Sequence, residues 1–170
     1  MARNVEIKAR VADPARLRKL ALAMGDGPGQ LILQKDTFYN AREGRLKLRE
    51  FGDGTGELIA YSRPDQEGPK TSSYVISRTA DPASLHTALA AALGVRGVVS
   101  KKRTLVLAGR TRIHLDQVEG LGEFMELEVV LTAGETEAEG QLVAQELMTR
   151  LEIKAGDLME DAYIDQLEKL

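Results

Sequence analysis

Several short stretches of this chain alternate polar and apolar residues one by one, and in each the polar set is charged. In 4–10, Val5, Ile7 and Ala9 fall on one side of an extended strand, with Glu6, Lys8 and Arg10 on the other. The stretch 45–49 repeats the period with Arg45, Lys47 and Arg49, and 100–105 does so with Lys101 and Arg103. In 112–116, His114 and Asp116 fall in step, and in 124–129 Glu126 and Glu128 do. A charged strand face is ordinarily the wet side of an antiparallel sheet. Here some strands carry cations and others carry carboxylates at the same period. A barrel that turns these faces inward would give each charge a partner of opposite sign.

Turn and cap residues set the rest of the layout. Asp13-Pro14 predicts a helix start, with Leu17, Leu20, Ala21 and Met24 as its apolar stripe and 25–29, rich in glycine, as its end. Strands are expected over 30–40, 45–51 and 56–63, joined by short hairpin-type turns. A longer loop over 64–69 precedes a strand over 72–78, and Asp81-Pro82 repeats the earlier helix start, which suggests two related halves. The end of the chain reads as two helices, 135–151 and 156–167, packed outside the strands with Leu142, Leu147 and Leu151 buried.

Composition narrows the classes. The 170 residues suit one domain, 1–170, large enough to bury a core. Hydrophobic residues make up 43%, charged residues 29% and aromatics 4%, which points to an aliphatic core rather than a stacking platform for bases. A net charge of −3 argues further against a nucleic-acid partner, because phosphate backbones call for a basic surface. Cysteine is absent, so disulfides, thiolate metal sites and cysteine nucleophiles are excluded. Neither a secretory leader nor a membrane span is apparent, and a cytoplasmic protein, with a homodimer among the assemblies allowed, is expected.

Taken in order, these segments resemble the CYTH superfamily of class IV adenylyl cyclases, thiamine triphosphatases and inorganic triphosphatases. The resemblance rests on the 4–10 strand, the Leu-Lys-Leu-Arg run at 46–49, Lys101 with Arg103, and Asp116 followed by Glu119-Gly120-Leu121-Gly122. It closes on Phe124, Glu126 and Glu128. The run from Ile113 to Glu128 looks most like the class IV cyclase branch. The resemblance implies an α+β fold, a closed antiparallel β-barrel or triphosphate tunnel with helices outside, whose lumen holds a triphosphate and a divalent metal.

The chemistry of such a site needs both signs of charge. Holding a flexible polyanion takes cations at several heights, and arginine adds a bidentate fork. Lys8, Lys47, Arg49, Arg63, Lys101 and Arg103 are the expected triphosphate ligands, with Arg10 and Arg45 at a rim. Mg²⁺ or Mn²⁺ prefers oxygen donors, and Glu6, Glu126 and Glu128 are the expected metal ligands. Asp116 and Lys8 are the catalytic candidates. Asp116 would act as a ligand or a base for the attacking group, or else as the partner of a lumen arginine. His114, Tyr61 and Tyr163 read as packing residues.

Two departures from the family pattern stand out. Asn4 occupies the place of the first metal-binding glutamate, and a neutral amide oxygen brings no charge to a cation. The strand 71–76 lacks the arginine and glutamate of relatives, leaving Ser73 and Val75 on the expected lumen face. The expected function is hydrolysis of an inorganic or organic triphosphate, tilted towards a small inorganic substrate by the scarcity of aromatics. The alternatives are conversion of ATP to cyclic AMP and pyrophosphate, or a catalytically weak polyphosphate- or nucleotide-binding module.

Overall fold

A computed structural model describes residues 2–64 and 68–170, so residues 65–67 of the long loop lie outside it. Eight antiparallel strands close into a barrel. In chain order they are β1 (Ala2–Arg10), β2 (Gln30–Tyr39), β3 (Arg45–Phe51), β4 (Gly56–Ser62), β5 (Lys70–Thr79), β6 (Val95–Ala108), β7 (Thr111–Val118) and β8 (Gly122–Val130). Around the barrel the order is β1-β5-β4-β3-β2-β6-β7-β8, with β8 pairing back to β1. Exchanging β1–β4 with β5–β8 reproduces every pairing, so the topology repeats. Each half also has a helix after its first strand, α1 (Pro14–Met24) and α2 (Pro82–Leu93).

The helix starts follow the signals in the sequence. Asp13 accepts from Arg16 N–H at 3.0 Å and Asp81 from Ser84 N–H at 3.1 Å, each just before a proline whose missing donor costs nothing there. α3 (Glu137–Arg150) opens with a reciprocal cap between Thr136 and Glu139. It lies close on β1: a Cβ on Gly140 would come within 2.8 Å of Val5 Cγ2 and 2.5 Å of Leu131 Cδ2. The main apolar core is therefore outside the barrel. Val5, Ile7 and Ala9 of β1 join Ile113, Met125, Leu127 and Val129 under α1 and α3, with Leu147 and Leu151 buried as expected. Leu142 is not buried; it is 67% exposed on the solvent side of α3.

One end of the lumen is closed by the C-terminal segment. The single helix expected over 156–167 is instead a 3₁₀ turn (Ala155–Asp157), an extended stretch and α4 (Tyr163–Glu168). The barrel takes the backbone groups that a helix would need. Leu158 bridges to Ala9, Met159 N–H donates to Lys8 O at 3.0 Å, and the Lys8 and Lys70 ammonium groups donate to the carbonyls of Asp161 and Glu160. Met159, Ala162, Tyr163 and Ile164 then pack with Phe38, Val99, Val118 and Phe124 as a second apolar cluster.

Candidate active site in the barrel lumen

Because adjacent strands keep register, residues paired across them point to the same side. Glu6 pairs with Glu128, Lys8 with Glu126, and His114 with Glu126, which sets β1, β8 and β7 charges side by side in the lumen. Together they line a cavity of about 290 Å³. Lys8, Lys47, Arg49, Arg63, Lys101, Arg103, Glu6, Glu126 and Glu128 all line it, and Arg10 and Arg45 do not. Arg45 instead pairs with Asp165 of α4 at 2.9 Å.

Two walls differ in charge balance. On β2, β3 and β6, Asp36 gathers three cations. Arg49 donates Nε and Nη2 to its two oxygens at 2.8 Å each, Lys47 donates at 3.0 Å, and the Lys101 ammonium lies 3.9 Å away. Burial alone would raise the Asp36 pKa, but Arg49, Lys47 and Lys101 hold it well below the usual carboxylate range. Burial and neighbouring Arg103 push the Lys101 ammonium down to about 7, and burial and Arg49 push Lys47 down as well.

Across the lumen, β1, β7 and β8 gather acids. Glu126 receives Arg103 at 3.0 Å and Lys8 at 3.4 Å, Glu128 receives Arg112 at 2.9 Å, and Glu6 receives Arg63 at 3.5 Å. Burial, and then Glu128 beside it, push the Glu6 carboxyl up to about 7. For Glu126 burial acts the same way, yet Lys8 and Arg103 outweigh it and hold the group well below its ordinary value. Burial lowers Lys8 to about 8 against the pull of Glu126.

Asp116 sits behind this lining and is 1% exposed. Arg103 donates Nε and Nη2 to its oxygens at 2.7 and 2.6 Å, and the Tyr163 hydroxyl adds a bond at 3.0 Å. Asp116 is thus the partner of a lumen arginine, one of the roles expected of it. Tyr61 and Tyr163 lie under lysines rather than merely filling space. Lys8 stands 3.9 Å from the Tyr163 ring centroid and Lys47 stands 5.4 Å from that of Tyr61.

Three lining groups escaped the sequence reading. Asp36 shares its face with Gln34, while Leu31 and Leu33 on the opposite face are 67% and 51% exposed, so β2 carries its leucines outward. That inversion was the available signal. Arg112 and His114 lie in phase with Asp116 and were equally in view. On β5 the parity is reversed from expectation: Ser72 and Tyr74 line the cavity, and Val75 faces out at 53% exposure. Polar residues on both faces of 71–74 leave a strand's register weakly marked. Pairing of Ser72 with Asn4 and of Tyr74 with Tyr61 fixes it here.

The donor set fits a divalent cation. The ligating atoms of His114, Glu126 and Glu128 all lie within 4.8 Å of one another, and buried Nδ1 of His114 and Oδ1 of Asn4 have no hydrogen-bond partner. A buried polar atom without a partner costs roughly 1–3 kcal/mol, which a bound ion would recover.

Known proteins share the architecture. PH1012 from Pyrococcus horikoshii OT3 superposes with a TM-score of 0.80 at 22% identity, covering 95% of this chain and 98% of that one. A proposed adenylate cyclase from Vibrio parahaemolyticus gives 0.79 at 20% identity over 97% of both chains. HpAC1 from Hippeastrum, described as a proposed adenylyl cyclase with a dominant triphosphatase activity, gives 0.66 at 17% identity over 98% of this chain and 95% of that one. At these identities the likeness is one of fold. No curated protein sequence matches the chain. The CYTH domain family model matches residues 2–163, and the chain belongs to that family.

Proposed function

We propose that the protein is a metal-dependent hydrolase of triphosphates that works inside its barrel. The observation that carries this reading is the opposition of the two walls: a cation-rich one around Asp36 faces carboxylates and an imidazole across a cavity of about 290 Å³. Arg49, Lys47 and Lys101 take the phosphate oxygens, and arginine's fork matches their geometry. Arg103, held by Asp116, which accepts from Tyr163 in turn, supplies a rigid donor to the charge that develops as the phosphoanhydride bond breaks. Lys8 stands between the carboxylates and the C-terminal segment, where it neutralises the anion's other end. Glu126 and Glu128 would hold the metal with His114, the three whose ligating atoms lie together, with Glu6 beside Glu128 on β1. Bound there, Mg²⁺ or Mn²⁺ would supply Lewis-acid chemistry, polarising the phosphoanhydride to be cleaved. An enzyme of the cytoplasm, where nucleotides and divalent ions are plentiful, fits this use.

Hydrolysis is placed before cyclisation because HpAC1, which shares the fold, is described by a dominant triphosphatase activity. Cyclisation of ATP is the second reading. Ile32, Phe51, Ile76 and Leu105 also line the cavity and give a nucleoside an apolar surface on which to rest. The test is to supply inorganic triphosphate and ATP separately, with Mg²⁺ and then Mn²⁺, and follow products by phosphorus NMR. Orthophosphate with pyrophosphate from triphosphate is the expected result. Cyclic AMP with pyrophosphate from ATP would select the cyclase. No turnover in any tube would leave the binding module, and Asn4→Glu, which restores the missing acid, would then be expected to raise turnover.

A further inference from the structure

We propose that His114 is a metal ligand and that, with Glu126 and Glu128, it makes the lumen site select first-row transition dications over Mg²⁺. This deepens the functional reading above and rests on it only for what the ion is used for; whether the ion binds there, and through which atoms, is separate.

His114 lies on β7 directly opposite Glu126 of β8, and its neighbour in register on the other side is Leu105 of β6. The ring is 5% exposed, and Nδ1 has no hydrogen-bond partner. That nitrogen points between the two carboxylates, 3.8 Å from Glu126 Oε2 and 3.8 Å from Glu128 Oε1. The distance is too long for a hydrogen bond to either. It suits a gap that an ion fills. Donors at right angles around a cation, each about 2.1 Å from it, stand about 3 Å apart. The three ligating atoms lie within 4.8 Å of one another, so closing to that spacing needs shifts of about 1–2 Å shared among three side chains.

The surrounding cations do not exhaust these oxygens. Arg103 reaches Oε2 of Glu126, Lys8 reaches Oε1, and Arg112 reaches Oε2 of Glu128. Each carboxylate oxygen can accept more than one partner, and Oε1 of Glu128 faces only His114 among the ion pairs of the described residues. The set on offer is therefore two carboxylates and one imidazole. Mg²⁺ favours oxygen donors and keeps its waters, whereas a neutral imidazole gains affinity along the series from Mn²⁺ towards Cu²⁺. Asn4 of β1 is neutral, so the imidazole nitrogen is the donor that distinguishes this site from an all-carboxylate one. The same geometry explains why the histidine is buried among charges with its nitrogen unsatisfied, which packing alone does not.

The experiment uses the full chain without triphosphate and Mn²⁺ alone as the probe. Free Mn²⁺ is followed by electron paramagnetic resonance, with Mg²⁺ as competitor, and the bound ion is examined by electron spin echo envelope modulation. The expected result is a nitrogen coupling on bound Mn²⁺ that is absent in His114→Gln. That variant keeps much of the volume and offers an oxygen instead. Mn²⁺ affinity should fall at least roughly tenfold, the lower bound for changes around metal ligands, while Mg²⁺ affinity stays within a factor of about three. His114→Ala serves as the second variant, with thermal unfolding monitored to confirm that both remain folded. Mn²⁺ bound without nitrogen coupling, or equal Mn²⁺ affinity in wild type and His114→Gln, would overturn the assignment. Nitrogen coupling in a protein that turns over no triphosphate would sustain the assignment and remove the hydrolase reading; turnover without such coupling would do the reverse.

Discussion

The lumen presents two bidentate aspartate–arginine forks on strands related by the internal repeat, and they do different things. Asp36 of β2 holds Arg49 of β3, while Arg103 of β6 is held by Asp116 of β7, so the acid and the cation have exchanged strands between the halves. Around Asp36 the surplus is positive, because Lys47 and Lys101 share the same carboxylate. Around Arg103 the charges are matched, because Asp116 and Glu126 share the guanidinium while Lys8 pairs with Glu126 and Arg112 with Glu128. In the proposed function the Asp36 fork would hold the anion, with Asp36 as its stand-in, and the Arg103 fork would aim a cation between the metal and the substrate. A repeated scaffold thus yields two unlike walls, which an extended phosphate chain bridged by a metal would use.

The largest expected effect is on the positive wall. Asp36→Ala leaves Arg49, Lys47 and Lys101 buried without their shared counter-ion and should cost roughly 3–5 kcal/mol of stability. Urea unfolding reads this directly, and saturating triphosphate should recover a good part of the loss by taking the acid's place. Tyr163→Phe removes one hydrogen bond from the other fork and should cost only about 1 kcal/mol.

Next in size is the carboxylate wall. The double variant Glu126→Gln, Glu128→Gln should slow triphosphate turnover by on the order of 10³-fold, since a bound metal is worth several kcal/mol to a phosphoryl transition state. Its affinity for triphosphate in the presence of EDTA should be unchanged or higher. Equal losses of turnover and of metal-free affinity would show that the walls are not separate. Arg49→Ala should have the opposite profile, weakening triphosphate binding about 10–100-fold by calorimetry with metal binding intact.

The smallest effect concerns pH. Lys101 titrates at about 7 in the free protein because it is buried next to Arg103, against an ordinary value of 10.5. Between those values the unfolded chain holds the proton and the folded one does not, so this residue's penalty on stability is fully present below about 7 and relieved as pH rises towards 10.5. Bound triphosphate restores the charge. Binding at pH 8 should therefore take up a proton, and affinity should fall by at most about tenfold per pH unit above 7 if this group alone is coupled. Calorimetry in buffers of different ionisation enthalpy measures the uptake, which Lys101→Gln should reduce.

Much of this was legible in the alternation. Strand faces with Lys8, Lys47, Arg49, Lys101, Arg103, Glu126 and Glu128 carry their charges at period two, and a closed barrel has only one place to put them. Asp36 was hidden because the partner it needs, Arg49, lies on another strand and β2 shows leucines on its outer face. Ser72 and Tyr74 were misplaced because a strand with polar residues on both faces has its register set by neighbours, not by its own sequence. The C-terminal segment read as helix because its composition allows one, while the bonds to its backbone that unwind it come from Lys8, Ala9 and Lys70, ninety positions away in sequence in the nearest case.

On the proposed reading one lumen holds an anion chain on one wall and a metal on the other, and each strengthens the other's binding. Calorimetric titration of the wild-type chain with non-hydrolysable imidotriphosphate, with and without Mn²⁺, tests it most directly. One ligand per barrel is expected, tighter when Mn²⁺ is present, with the gain from metal lost in Glu126→Gln and the metal-free affinity lost in Arg49→Ala. Binding indifferent to Mn²⁺ and to both substitutions would contradict it.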